Sequence, residues 1–135
     1  MRTLTDHIVS NDQSVQLTIE LTDEPGQGGA NHRYEITGFD TETNPANRDK
    51  FGYKVSYSRE VIVFQNGPIK EVGVNGITGE ALLAIQIDRL RSFQAGPYAC
   101  RENALALTNL EQALMWLQKR TRDRLARGVE GTHEK

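Results

Sequence analysis

Tyr98 to Arg127 predicts one unbroken helix whose contact stripe changes chemistry along its length. Counted in sevens, one edge of the stripe carries Asn103, Leu110, Leu117 and Arg124. The other carries Ala99, Ala106, Ala113, Arg120 and Arg127. Residues three and four apart share a helix face, so an apolar, alanine-lined seam runs straight into a pair of arginines. A purely packing helix would stay apolar, and a purely solvated one would not repeat Ala and Leu in this way. A dry seam that meets guanidinium groups points to a phosphate-bearing ligand.

The rest of the chain narrows that expectation. Its 135 residues allow one domain with a modest core, and four Phe, four Tyr and one Trp leave few anchors for it. Burial between subunits would add stability. The single cysteine, Cys100, leaves no internal disulfide and fits a reducing cytosol. No apolar run approaches the ~20 residues that span a bilayer. Met1 to Ser10 lacks the apolar centre of a secretory signal, so a cytoplasmic protein is expected. Charge is unevenly placed: residues 1–87 carry a net −5 and residues 88–127 a net +4, on a chain of net charge −2. A cationic island on an acidic protein suits a small anion better than a duplex, which calls for a broad basic face.

Ser14 to Leu21 alternates apolar and polar residues, as does His32 to Phe39, giving two strands joined by a long loop around Asp23-Glu24-Pro25-Gly26. Asp40 to Lys50 has no periodicity and reads as an exposed loop. A short strand at Tyr53–Tyr57 and a firmer one at Val61–Gln65 follow. Asn66-Gly67 then predicts a hairpin into a return strand, Ile69–Val74. Thr78 can cap a helix over about Gly79–Gln94 that buries Leu83, Ile87 and Leu90, supported by Leu82 and Ile85. Gly96 can close it in a left-handed or capping conformation, and Pro97 suits the first turn of the long helix. So short a link makes the helices antiparallel, and Gly128 stops the second one. The expectation is an α+β fold within one domain: a small N-terminal antiparallel sheet (residues 1–76), a C-terminal antiparallel helical hairpin with one long final helix (77–128), and a polar tail (129–135).

Arg120 and Arg124 lie one turn apart and can close on one phosphate or bridge a pyrophosphate. Cations in a last turn also favour the helix dipole while simply facing water. Register argues for the ligand, because both arginines continue the seam, whereas Lys119 and Arg122 sit off it. Asn103 is an amide on that seam; it could fix helix register, or read a base edge or a ribose hydroxyl. Phe93 and Tyr98 flank the interhelix turn and could stack on a purine, although Phe93 could equally plug the hairpin core. Leu117 would supply an apolar wall, and Arg101 lies nearby but off the seam. Asn103 and Arg120 are 17 residues apart, roughly 25 Å along a helix, so they cannot line one small pocket within a subunit. If two copies cross antiparallel about a two-fold axis near Gln112, the Asn103 of one meets the Arg120 and Arg124 of the other. Without that pairing, the alanine seam could meet the protein's own sheet.

Other chemistries find little support. Gly26-Gln27-Gly28-Gly29 lacks the following Lys-Ser/Thr and helix of a phosphate loop. His7, His32 and His133 are scattered, with no metal-ligand spacing. Cys100 and Ser92 lack a nucleophile's setting. No catalytic residue, metal or cofactor is expected.

Phe64 onward (FQNGPIKEVGVNGITGEALLAIQIDRL), then CRENALALTNLEQALMWLQKRTRDR and RGVEGTH, resemble the phage Thoeris anti-defence sponges of the first type. These share a C-terminal helical hairpin with the phage anti-CBASS cyclic-nucleotide sponges. The resemblance covers residues 60 to 133, and more loosely the region of DEPGQGGANHRY. It implies a non-enzymatic protein in the cytoplasm of an infected bacterial host. Such a protein sequesters cyclic ADP-ribose isomers and keeps them from the Thoeris effector. It also implies ligand residues at Phe93, Asn103, Leu117, Arg120 and Arg124, a homodimer through the long helix, and in some relatives a hexamer. Several relatives take CBASS cyclic di- or trinucleotides at separate sites. Two rivals stand beside this: a phosphodiesterase-like enzyme that degrades the signal, which lacks catalytic groups here, and a structural or nucleic-acid-binding phage protein that uses the basic helix end.

Overall fold

The computed structural model describes residues 1–12 and 16–135. They form two compact units, Met1–Asn66 and Gly67–Lys135.

The first unit is a four-stranded antiparallel sheet in sequence order: β1 (Arg2–Leu4), β2 (Thr18–Leu21), β3 (Arg33–Thr37) and β4 (Arg59–Val63). Side chains alternate across a strand, so register fixes the faces. Ile19 lies opposite Ile36 and Leu21 opposite Tyr34, and Tyr34 in turn opposes Ile62. Leu21 is buried on this apolar face, and the Phe64 ring meets the edge of Tyr34 at 5.5 Å. On the other face Glu35 lies between Arg33 (3.3 Å) and Arg59. Of the strand expected over Ser14–Leu21, only Thr18–Leu21 is strand, and Ser14 and Val15 lie outside the described residues. The three residues of β1 are too few to show a period, so this strand was not legible.

Both long loops are organised by polar side chains. The Asp23 carboxylate accepts from the N–H groups of His32 (2.9 Å) and Arg33 (3.2 Å) and from the Asn31 amide (3.3 Å). These bonds, the one from His32 above all, hold its carboxyl below the ordinary Asp value. Between them Gly28 and Gly29 take φ of 82° and 84°, which a side chain would resist. The aperiodic Asp40–Lys50 stretch is likewise built rather than loose. Asp40, Asn44 and Asp49 each accept from backbone N–H groups just ahead of them. Asn47, only 4% exposed, accepts from Ser56 N–H (2.7 Å) and donates to the Thr41 hydroxyl (2.8 Å). The strand expected at Tyr53–Tyr57 is reduced to one bridge, between Arg48 and Lys54.

The second unit holds α1 (Ile69–Val72), α2 (Gly79–Gln94) and α3 (Arg101–Ala126). The return strand expected at Ile69–Val74 is therefore a helical turn. Pro68 supplies no ladder donor and sits at the N-cap, where its carbonyl accepts from Glu71 (3.0 Å) and Val72 (2.9 Å). Gly67, at φ 93°, turns the chain into that helix instead of into a hairpin. Thr78 caps α2 as expected, accepting from Ala81 N–H at 3.2 Å.

Among the least exposed positions of α2 are Leu83, Ile87, Leu90 and Gln94, with Glu80 and Leu82 beside them in the first turn. Those of α3 are Asn103, Leu107, Leu110, Leu114, Thr121 and Arg124. Both sets recur three and four apart, the pattern of two facing stripes in a helical hairpin. Ile85, assigned a supporting core role by sequence, is exposed instead, on the side of α2 turned from α3. The long helix starts at Arg101, not Tyr98. Cys100 is extended and its sulfur accepts from Asn103 N–H at 3.4 Å, so Pro97 and Ala99 lie in the turn before it. Gly96 stays outside the left-handed region, because Ala95 already closes α2 in a helical conformation. At the far end Gly128, φ 73°, completes a Schellman turn: Val129 N–H returns to the Arg124 carbonyl and Gly128 N–H to that of Leu125, both at 3.1 Å.

Candidate functional site

Packing against α2 splits the seam read from the sequence. The edge bearing Asn103, Leu110 and Arg124 joins the stripe facing α2. The alanine edge stays open: Ala106, Ala113 and Arg120 are exposed, and Trp116 is 64% exposed. The same α3 therefore closes one face within the hairpin and leaves another uncovered.

At the turn end of the hairpin, the Phe93 and Tyr98 rings meet edge to face with centroids 6.5 Å apart. The Arg89 guanidinium lies 5.5 Å from the centre of the Phe93 ring. The Asn103 side chain donates to the Tyr98 carbonyl at 3.4 Å, which ties the amide to the aromatic pair. Arg101 is exposed at the first position of α3. This end thus offers partly open aromatic faces, an oriented amide and cations, a set suited to a base and its sugar.

At the other end of α3, a cleft of about 470 Å³ is lined by Trp116, Lys119, Arg120, Asp123, Arg124, Arg127 and Lys135. Leu117, on the same edge as Leu110 and Arg124, is exposed instead of packed. The two arginines singled out by sequence differ sharply here. Arg120 is exposed, while Arg124 is 7% exposed and engaged. Its Nε donates to Glu130 at 3.0 Å, its Nη2 to the carbonyls of Val129 (2.9 Å) and Thr132 (3.1 Å), and its Nη1 to that of Glu134. Lys119 is paired with Asp123 at 2.6 Å. Sequence reasoning missed Trp116 and the tail contacts of Arg124. Trp116 was findable, since 116, 120 and 124 are successive i+4 positions on one face. The tail had no periodic signal to announce it.

Phe93, Tyr98 and Asn103 thus cluster at one end, and Leu117, Arg120 and Arg124 at the other. Seventeen residues of helix separate Asn103 from Arg120, roughly 25 Å at about 1.5 Å per residue. One copy of the hairpin therefore does not bring these residues into one pocket.

Residues 57–122 match the family described as "Acb2/Tad1, hairpin domain". This stretch is similar to that hairpin domain. Over 72 residues the chain is also 60% identical to "Thoeris anti-defense 1" of Bacillus phage SBSphiJ7, which covers 53% of this chain and 51% of that relative. The chain spans about half the length of the curated relative it matches. The matched stretch takes in β4, α1, α2 and α3 as far as Arg122, and so includes Phe93, Tyr98, Arg101, Asn103, Leu117 and Arg120. Arg124 and the tail it holds lie just beyond the matched stretch.

Proposed function

We propose that this chain is a phage anti-defence sponge that captures cyclic ADP-ribose-type messengers intact and so blunts Thoeris immunity in the cytoplasm of the infected host. The observation that carries this reading is the open face of α3, where Ala106, Ala113, Trp116 and Arg120 lie exposed on a helix already packed on its other side, in a chain that matches this hairpin domain. Two copies crossing antiparallel near Gln112 would bring the Phe93–Asn103 end of one to the Leu117–Arg120–Arg124 end of the other. The small alanines let the backbones approach, and each dimer gains two identical pockets. In each pocket the arginines neutralise the pyrophosphate, the aromatic covers the adenine, and closure of the seam excludes water. Arg101 and Tyr98 border the same pocket. To outcompete an effector, capture should reach nanomolar affinity, about −12 kcal/mol. Charge-assisted hydrogen bonds and a buried base supply this, less the cost of ordering.

Calorimetric titration with two cyclic ADP-ribose isomers, one cyclic dinucleotide and one cyclic trinucleotide tests the ligand class. It also tests whether CBASS messengers bind at separate sites. Arg120→Ala should weaken capture at least a hundredfold with the fold intact, and an unchanged affinity would remove Arg120 from the site. Heating the loaded protein should release unaltered ligand; a cleaved product would favour a phosphodiesterase. Sedimentation should give a dimer or a multiple of it, and a monomer at micromolar concentration would overturn the shared pocket. Loss of binding should be shallow with added salt, whereas duplex binding falls steeply.

A further inference from the structure

Arg124 already holds a substitute for an anionic ligand. Four of its five N–H donors go to one short segment, residues 129–134, through the Glu130 carboxylate and the carbonyls of Val129, Thr132 and Glu134. The segment is shaped for this. The Schellman turn at Gly128 reverses it onto the end of α3, and a further turn brings Thr132 N–H to the Val129 carbonyl at 3.1 Å. Gly131, φ 80°, lies so close to Lys70 that an added β-carbon would sit 3.0 Å from its Cγ. The Gly131 carbonyl accepts from Lys70 N–H at 2.9 Å, and His133 meets Glu71 at 3.1 Å. The tail is thus pinned at two points to α1, with Arg124 gripping it from the other side.

We infer that the tail is a displaceable strap, with Glu130 as its latch: an anionic ligand reaches Arg124 by exchanging its phosphate oxygens for the Glu130 carboxylate and the tail carbonyls. The inference rests on the capture reading above for the identity of the ligand, but not for the exchange itself. The open cleft beside Arg120 gives the incoming anion its first contact, while Arg127, like Arg124, already donates to the tail, at the Lys135 carbonyl. Arg124 is then uncovered only when something equally anionic replaces Glu130. Its buried charge is compensated in both states, which a guanidinium removed from water requires.

The test uses the full chain and three proteins: the unaltered one, Glu130→Gln, and Glu134→Gln. Glu134→Gln removes the same formal charge, but Glu134 touches Arg124 only through its backbone. Inorganic pyrophosphate and a cyclic ADP-ribose isomer serve as probes, read by calorimetry and by amide exchange at residues 129–134. The strap requires Glu130→Gln to bind pyrophosphate about tenfold more tightly than the unaltered protein, with Glu134→Gln within twofold of it. It also requires saturating probe to speed tail amide exchange at least fivefold. Equal or weaker binding by Glu130→Gln, or a tail that exchanges more slowly when probe is bound, overturns the strap and makes the tail a fixed wall. If the cyclic nucleotide fails to bind while pyrophosphate still frees the tail, the capture reading falls and the strap stands.

Discussion

The sheet unit and the helical unit order their chains by different means. In residues 1–66 the irregular stretches are held by amide and carboxylate side chains that bond to backbone groups: Asp23 accepts from N–H groups and Asn31 donates to a carbonyl in one loop, and Asn47 and Asp49 accept from N–H groups in the other. In residues 67–135 the ordering group is an apolar stripe, Leu83-Ile87-Leu90 facing Leu107-Leu110-Leu114. Arg124 is the exception, and an informative one. It sits at the end of that stripe, where the period stops, and does for the tail what Asn47 does for its loop. Where a chain has no repeat, one side chain with several donors or acceptors can fix it, because each buried backbone group must find a partner.

The largest effect that sharpens this contrast should come from Ile87→Ala. Ile87 is buried between the helices, and its truncation should cost about 2–5 kcal/mol through lost burial and the cavity left behind. Denaturant unfolding followed by helical circular dichroism measures it. A loss below 1 kcal/mol would mean that the stripe is not what holds the hairpin.

Asn47→Ala is the matching change in the sheet unit. It removes the acceptor of Ser56 N–H and the donor to Thr41 without creating a large void. The stranded groups should cost about 1–3 kcal/mol, with amide exchange rising most at residues 41–56. If the loss equals that of Ile87→Ala while exchange rises evenly over the chain, the division between polar and apolar ordering breaks down.

This division also decides what could be read in advance. The α2–α3 hairpin, its Thr78 cap and its Gly128 stop follow from period and capping chemistry, as do β2 and β3. The failures fall where one local residue overrides a plausible pattern. Pro68 turns a strand-like IKEVGV into a helical turn, and Cys100, an unusual cap through sulfur, delays α3 by three residues. That Asn103 and Arg120 lie at opposite ends of α3 was legible because distance along a helix is arithmetic. The engagement of Arg124 was not, since Glu130, Val129 and Thr132 meet it only after the chain reverses, and no spacing rule encodes which carbonyls a reversed tail presents.

The finest test concerns acid. Among the described residues, Asp23 and Glu42 are carboxyls whose ionised forms the fold favours, and both belong to the sheet unit. Glu42 is held low by Lys54, through a hydrogen bond and its charge, and by Arg48. For Asp23 the cause lies in the backbone: His32 and Arg33 N–H donate to the charged form, so its folded value lies below the unfolded one. A depressed carboxyl adds stability that is fully present above its unfolded value, near 3.8, and that fades as pH falls through the lower folded value. The His32 and Arg33 amide signals should therefore shift together with a midpoint under the ordinary Asp value. Asp23→Asn should abolish that shift and flatten the acid limb of the unfolding midpoint. Because Asp23 is open to solvent the change should be modest, and it should appear first in residues 22–33. If acid instead loosened the α2–α3 stripe first, carboxylate-to-backbone bonds would not be what sets the weakest part of the sheet unit.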